Sequence, residues 1–252
     1  MALDIKTATP AQTAARKQIP RRIVQSWVNR DLTEGMLALT KSHTRLNPGY
    51  AYVFYDDKEC REFIEKLFHP TVLLAYDAMT TAAFKADLFR YCELYVNGGW
   101  WFDLDTLSVG AIDTIVPTAA QFACAKDFEE PFGDDQRYAL YQAVLGSAPR
   151  HPVLEKAIRK VCYNVSLGAR AASLGALDVA GPLLLGSAVN TAFGRHPGTR
   201  LTRGIKGEGR LLIGESKAGG KICMNGVVLA VGHSQSSLDC TAIQRRIGDE
   251  YG

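Results

Sequence analysis

The sequence predicts an α/β fold with a mostly parallel sheet, and three observations carry that prediction. Short β-rich runs (Ile19–Val28, Tyr50–Tyr55) alternate with stretches of helical spacing in the first half of the chain. The longest of these helical stretches leads directly into an aromatic run, Trp100-Trp101-Phe102, of the kind that fills a buried strand. No Pro/Gly/Ser-rich linker divides the 252 residues, which suits one domain.

The elements follow in order. Ile19–Val28 reads as the first core strand. Residues 33–45 have helical spacing, with Met36, Leu37, Leu39 and Thr40 on the inner face. Asn47-Pro48-Gly49 is a turn, and Tyr50–Tyr55 a second strand. Asp56-Asp57 caps a helix over 58–67, which Pro70 ends. A long helix over 81–97 buries Phe84, Leu88, Tyr91 and Tyr95, and Asn97-Gly98-Gly99 stops it. Residues 120–126 read as a buried strand, 127–137 as a polar loop, and 152–164 as a helix opened by His151-Pro152. A further helix starts near Gly181-Pro182, and short β runs follow Gly204.

Composition narrows the function classes. The chain is 47% hydrophobic and 22% charged, enough to bury a sizeable core. A net charge of +3 is too small to imply nucleic-acid binding. No apolar run reaches membrane-span length, and residues 1–18 lack the apolar centre of a secretory signal, reading instead as a polar arm. The six cysteines form no CxxC pair or zinc-type cluster and read as reduced thiols of a cytosolic protein.

The chemistry concentrates in Trp100-Trp-Phe-Asp-Leu-Asp-Thr106. In a strand, Asp103 and Asp105 would share a face. Two converging carboxylates repel unless a cation sits between them, and Mg²⁺ or Mn²⁺ often bridges such carboxylates to a diphosphate. Asp87 and Arg90 lie three apart on the preceding helix, so Lys85, Asp87, Arg90, Asp103 and Asp105 are expected in one neighbourhood.

These residues carry a family resemblance. Phe84-Lys-Ala-Asp-Leu-Phe-Arg-Tyr91 followed by Tyr95-Val-Asn-Gly-Gly-Trp-Trp-Phe-Asp-Leu-Asp-Thr106 resembles the DXD sugar-transferase region of glycosyltransferase family 32. Ile19–Trp27, Asn47–Asp57 and Ala180-Gly-Pro182 extend the match in the same order. The resemblance implies a GT-A fold: a Rossmann-like, mostly parallel central sheet flanked by helices, in one domain over 19–252. It implies a retaining, metal-dependent hexosyl transfer from a UDP- or GDP-sugar. The acceptor would be a glycan, a lipid-linked oligosaccharide or a protein, in bacterial surface polysaccharide synthesis at the inner face of the cytoplasmic membrane. Residue by residue, Trp27 and Gln25 would line the nucleotide site, with Trp27 stacking on the base. Asp87 and Arg90 would hold the donor sugar and ribose, and Asp103 would contact ribose or sugar. Asp105 would bind Mn²⁺ or Mg²⁺, with Asp103 and His233 as further ligands. Two departures from the family pattern are Val24 for its early histidine and Leu238 for a late tryptophan.

Other readings compete. Phe102–Leu107 superficially resembles the nucleophile loop of haloacid-dehalogenase phosphatases, but it lies past residue 100 and lacks the glycine that follows that motif. A catalytically idle nucleotide-sugar-binding protein would keep the same fold. Asp127, Glu129, Asp134 and Asp135 are candidates for acceptor contacts. Arg200, Arg203, Lys206 and Arg210 form a basic cluster, either a solvated face or a seat for an anionic acceptor or phosphates.

Overall fold

A computed structural model describes residues 18–127, 138–167, 176–207, 210–217 and 220–232. The N-terminal arm before Gln18, the loop over 128–137 and His233 lie outside the described residues.

The first half is built as expected. β1 (Arg22–Trp27) leads to α1 (Glu34–Leu46), whose N-cap Thr33 accepts from the Met36 N–H. Met36 and Leu39 face the core, whereas Leu37 is exposed and Thr40 half-buried. β2 (Ala51–Asp56) runs into α2 (Asp57–Leu67) through a capping box. The Asp56 side chain accepts from the Glu59 N–H, and Glu59 reaches back to the Asp56 N–H. Pro70 starts a helix as well as separating it from α2. It occupies the first turn of α3 (Pro70–Ala78), where its missing N–H costs nothing.

α4 (Ala82–Asn97) is buried from Asp87 to Tyr95. It ends at Gly98 (φ +67°) and Gly99 (φ +114°). A Cβ at Gly98 would lie 2.6–2.8 Å from Pro149 and Pro20, so this turn requires glycine on both conformational and steric grounds. The turn delivers β3 (Gly99–Phe102), all four residues of which are buried.

The Asp-Leu-Asp segment is a turn and not part of the strand. β3 stops at Phe102, and β4 (Thr106–Ser108) begins after Asp105. Both the N–H and the hydroxyl of Thr106 donate to the Asp103 carbonyl, at 3.0 and 2.6 Å. Aspartate favours turns and is poor in strands, which accounts for the difference.

The remaining elements are α5 (Ile112–Ile115), β5 (Phe122–Lys126), β6 (Leu140–Ser147), α6 (Pro152–Ser166), α7 (Ala176–Val179), α8 (Pro182–Ala192), β7 (Gly204–Lys206), β8 (Leu211–Lys217), β9 (Lys221–Met224) and β10 (Val227–Gly232). The strand order is β2-β1-β3-β6-β5-β8-β9-β10-β4, with β7 beside β8. β1 runs parallel to β2 and β3, and β5 parallel to β8. The other pairs among the described residues are antiparallel. The expected parallel arrangement therefore holds for β1, β2 and β3 and for the β5–β8 pair, whereas β6, β7, β9, β10 and β4 pair antiparallel, so the sheet is mixed.

Alternating residues of the strands separate two cores. Val24, Trp101, Phe122 and Cys124 face α2, α3, α4, α6 and α8. Ile23, Trp100, Phe102 and Ala123 face α5 and the β9–β10 hairpin. Each buried tryptophan removes roughly 150–250 Å² from water. Cys60, Cys92, Cys124 and Cys223 are buried free thiols, and Cys162 is half-buried.

α1 is tied to β4 by the fully buried His43, whose Nδ1 lies 2.6 Å from Ser108 Oγ and whose ring packs 4.5 Å from Phe102. Burial pushes the His43 pKa down to about 3. It pushes His151, the α6 N-cap stacked on Phe122, down to about 4. Both imidazoles are neutral when folded and take up protons on unfolding. Their contribution to stability is therefore full above pH 6.5 and lost as pH falls below it, at up to ~1.4 kcal/mol per pH unit per histidine. Urea unfolding at about pH 7 and pH 5 should show this decline. His43→Asn should flatten it, and an unchanged pH slope in that variant would exclude His43 as a source.

Candidate active site

The route of the chain creates a crevice. From β1 the chain passes through α1 to β2 on one side. It then returns through α2, α3 and α4 to β3 on the other side of β1. Parallel strands whose connections diverge in this way leave a gap at their carboxyl ends, where ligands of open α/β sheets bind. Trp27 closes β1 at this edge, and Asp103 follows β3 there.

Period-two alternation puts Asp103 on the same sheet face as Trp101, the face covered by α4. The Trp101 indole N–H donates to Asp103 Oδ1 at 2.7 Å, and Arg90 Nη2 donates to the same oxygen at 2.9 Å. Arg90 Nη2 also lies 3.4 Å from Asp87 Oδ1, and its guanidinium sits 5.2 Å from the Trp101 ring centroid. Arg90 is only 4% exposed, so this cation relies on protein counter-charges.

Gln25 supports the turn from beneath. Its Nε2 donates to the Asp103 carbonyl at 3.3 Å, while Oε1 accepts from Thr40 and Tyr52. It is fully buried, with both ends of its amide engaged. Gln25, expected at the nucleotide, supports the Asp103 turn from inside the core. Lys85 also departs from expectation, since its ammonium lies over the Tyr76 ring, 5.3 Å from the centroid, away from the aspartates.

Asp105 differs from its neighbours. Among the described residues its carboxylate finds no side-chain partner, and it is only partly covered. Burial, and then the charge of Asp103, push its pKa up to about 6. Burial raises Asp87 further, to about 7, against the opposing pull of Arg90. Three carboxylates thus face one guanidinium when all are ionised. That residual negative charge is of the kind a divalent cation would offset. Among the described residues, no cluster of three or more His, Cys, Asp or Glu forms a self-sufficient metal cage. Asp103 and Asp105 would hold such an ion in part only. His233 lies outside the described residues, but Gly232, which precedes it, pairs with Thr106 beside the turn.

Tyr141 is a site residue that the sequence reading did not identify. It stands half-buried on β6, and burial together with Asp103, Asp105 and Asp127 raises its pKa to about 12. A Cβ on Gly232 would lie 2.9 Å from its hydroxyl, so Tyr141 stands between the turn and the end of β10. Asp127 lies at the same sheet edge, just after β5. A separate cavity of about 1070 Å³ opens at the opposite edge, by Arg22, Asn97 and Trp100, remote from the aspartates.

Residues 33–122 match the family described as glycosyltransferase sugar-binding region containing DXD motif. Inositol phosphoceramide mannosyltransferase 3 of Schizosaccharomyces pombe is 33% identical over 143 residues, covering 57% of this chain and 37% of that protein. The initiation-specific alpha-1,6-mannosyltransferase of Candida albicans is 27% identical over 165 residues, covering 58% and 43%. The chain thus spans less than half the length of these relatives. The solved structure of the PaToxG glycosyltransferase superposes with a TM-score of 0.55 at 15% identity, covering 73% of each chain, and so shares the fold. The match to the DXD-containing sugar-binding region takes in Asp87, Arg90, Asp103 and Asp105, and the chain around it has the GT-A fold.

Proposed function

We propose that this chain is a retaining, metal-dependent glycosyltransferase that moves a hexosyl group from a nucleoside-diphosphate sugar to a glycan or lipid-linked acceptor. The observation that carries this reading is the Asp105 carboxylate, without a side-chain partner among the described residues, beside an Asp103 locked by Arg90 and Trp101 at the carboxyl ends of β1 and β3. The printed names of the fungal relatives are those of mannosyltransferases, which makes a mannosyl donor the first to test. Among the described residues no helix is long and apolar enough to cross a membrane. We place the reaction at the cytoplasmic face of a membrane, because lipid-linked acceptors are presented there.

The residues divide the work. Trp27, half-exposed at the end of β1, offers a ring face to the nucleotide base. Arg90 holds Asp103 and Asp87 in fixed orientation, so their remaining oxygens can accept hydrogen bonds from ribose and sugar hydroxyls. Asp105 and Asp103 would hold Mn²⁺ or Mg²⁺, which supplies Lewis-acid stabilisation of charge on the departing diphosphate. In a same-face displacement the bond from the anomeric carbon to the phosphate oxygen breaks as that from the acceptor oxygen forms. The acceptor proton passes to the leaving phosphate oxygen.

Incubation with UDP- and GDP-sugars, with Mn²⁺ or with EDTA, tests the reading. Metal-dependent release of UDP or GDP is expected, whereas turnover of phosphomonoesters alone would overturn it. Asp105→Ala should lower donor turnover by about 10²-fold or more. Its thermal unfolding should stay close to wild type, because the carboxylate has no side-chain partner to lose among the described residues. Wild-type activity in that variant would remove Asp105 from the mechanism. Trp101→Phe keeps the packing but removes the indole donor to Asp103, and should lower kcat/KM by roughly tenfold. A kcat/KM equal to wild type would show that Arg90 alone fixes Asp103.

A further inference from the structure

β6 bulges beside the Asp-Leu-Asp turn. Leu145 lies opposite Cys124 of β5, but the next position of β5, Ala125, lies opposite Tyr141. The turn closes onto the stretch between them, where the Asp103 N–H donates to the Ala143 carbonyl at 2.8 Å. A bulge bends a strand and re-aims the side chains beside it. Here it presents Tyr141, whose ring packs on the core that holds Ile23, Phe102 and Ala230. Trp101, with the Arg90 guanidinium over its ring, belongs to the other face of the sheet. The turn is thus flanked by a cation on one face and a phenol on the other.

The chain leaves room for this hydroxyl. Gly232 of β10 pairs with Thr106, the residue after Asp105, and a Cβ on it would lie 2.9 Å from the Tyr141 hydroxyl oxygen. The φ of Gly232 is outside the left-handed region, so space for the hydroxyl, not backbone conformation, calls for glycine there. The phenol is half-buried, and its oxygen has no side-chain hydrogen bond among the described residues. Burial, followed by the charges of Asp103, Asp105 and Asp127, raises its pKa to about 12, so it keeps its proton at neutral pH. A protonated hydroxyl with an unused donor suits an anionic oxygen of the substrate.

We propose that Tyr141 is a catalytic residue whose hydroxyl donates a hydrogen bond to the sugar-bearing phosphate of the donor, and that Gly232 holds open the space for it. The proposal rests on the transferase reading, which seats that phosphate at Asp103 and Asp105. As the bond to the anomeric carbon breaks, negative charge grows on the phosphate oxygen and the hydrogen bond strengthens. Tyr141 keeps its own proton throughout, because the acceptor proton passes to the leaving phosphate.

Isothermal titration of the full chain with UDP, UMP, GDP and GMP, each in saturating Mn²⁺, tests the contact. The wild type should bind one diphosphate more tightly than its monophosphate. Tyr141→Phe keeps the ring and should weaken that diphosphate about tenfold, with the monophosphate unchanged. Its kcat for donor turnover should also fall about tenfold. Gly232→Ala should cause a similar loss when Tyr141 is present and none when combined with Tyr141→Phe, since the added methyl then meets no hydroxyl. Wild-type diphosphate affinity in Tyr141→Phe, or an equal loss for monophosphate and diphosphate, overturns the contact. A Gly232→Ala loss that persists in full in the double variant overturns the role given to Gly232. A wild-type chain that binds none of the four nucleotides overturns the transferase reading itself, and the contact with it.

Discussion

A guanidinium that is almost fully buried has to find its counter-charges inside the protein, and Arg90 finds two. Asp87 is on its own helix and Asp103 is at the end of β3, so one cation ties α4 to the turn that follows the strand. Removing either partner would leave charge in a low-dielectric setting, where the penalty is several kcal/mol. Trp101 makes the arrangement rigid, since its ring covers the guanidinium and its N–H shares the oxygen that Arg90 holds. The orientation of Asp103 is thus set by the same contacts that pack the helix on the sheet.

The curl of the sheet depends on this corner too. β3 lies near one end of the strand order and β4 at the other, yet only residues 103–105 join them. At ~3.3–3.6 Å per residue, such a link spans no more than about 14 Å. The sheet must therefore bend back until β10, carrying β4, stands beside β3. The Asp-Leu-Asp turn sits where the two ends of the sheet meet. Gly232 of β10 and Tyr141 of β6 meet there as well.

Much of this was legible in the sequence because local chemistry and tertiary role agree over residues 82–106. Helical spacing, the Gly98-Gly99 stop and the aromatic strand each have one reading, and together they bring Asp87, Arg90, Asp103 and Asp105 to one place. The turn at Asp103–Asp105 was not legible from spacing alone, because period two also satisfies a strand. Pro70 is ambiguous in the sequence because proline can follow one helix or open the next. β6 went unassigned because nearly all of its residues are buried, and a strand covered on both faces has no polar alternation. Losing β6 also hid Tyr141 and the antiparallel half of the sheet. Gln25 was placed at the ligand by motif position, whereas its burial and its three hydrogen bonds make it a support for the turn.

The contrast between Asp103 and Asp105 shows how the chain divides stability from chemistry. Asp103 is held by side-chain donors and contributes to packing. Asp105, two residues on, holds a partly buried charge without a side-chain partner among the described residues, and burial and the charge of Asp103 raise its pKa. An unpaired carboxylate beside a like charge is unfavourable in the fold by itself. Under the proposed transferase reading, a cation and a diphosphate would complete the charge balance. The small, local electrostatic penalty carried by the fold would then be relieved by ligand binding.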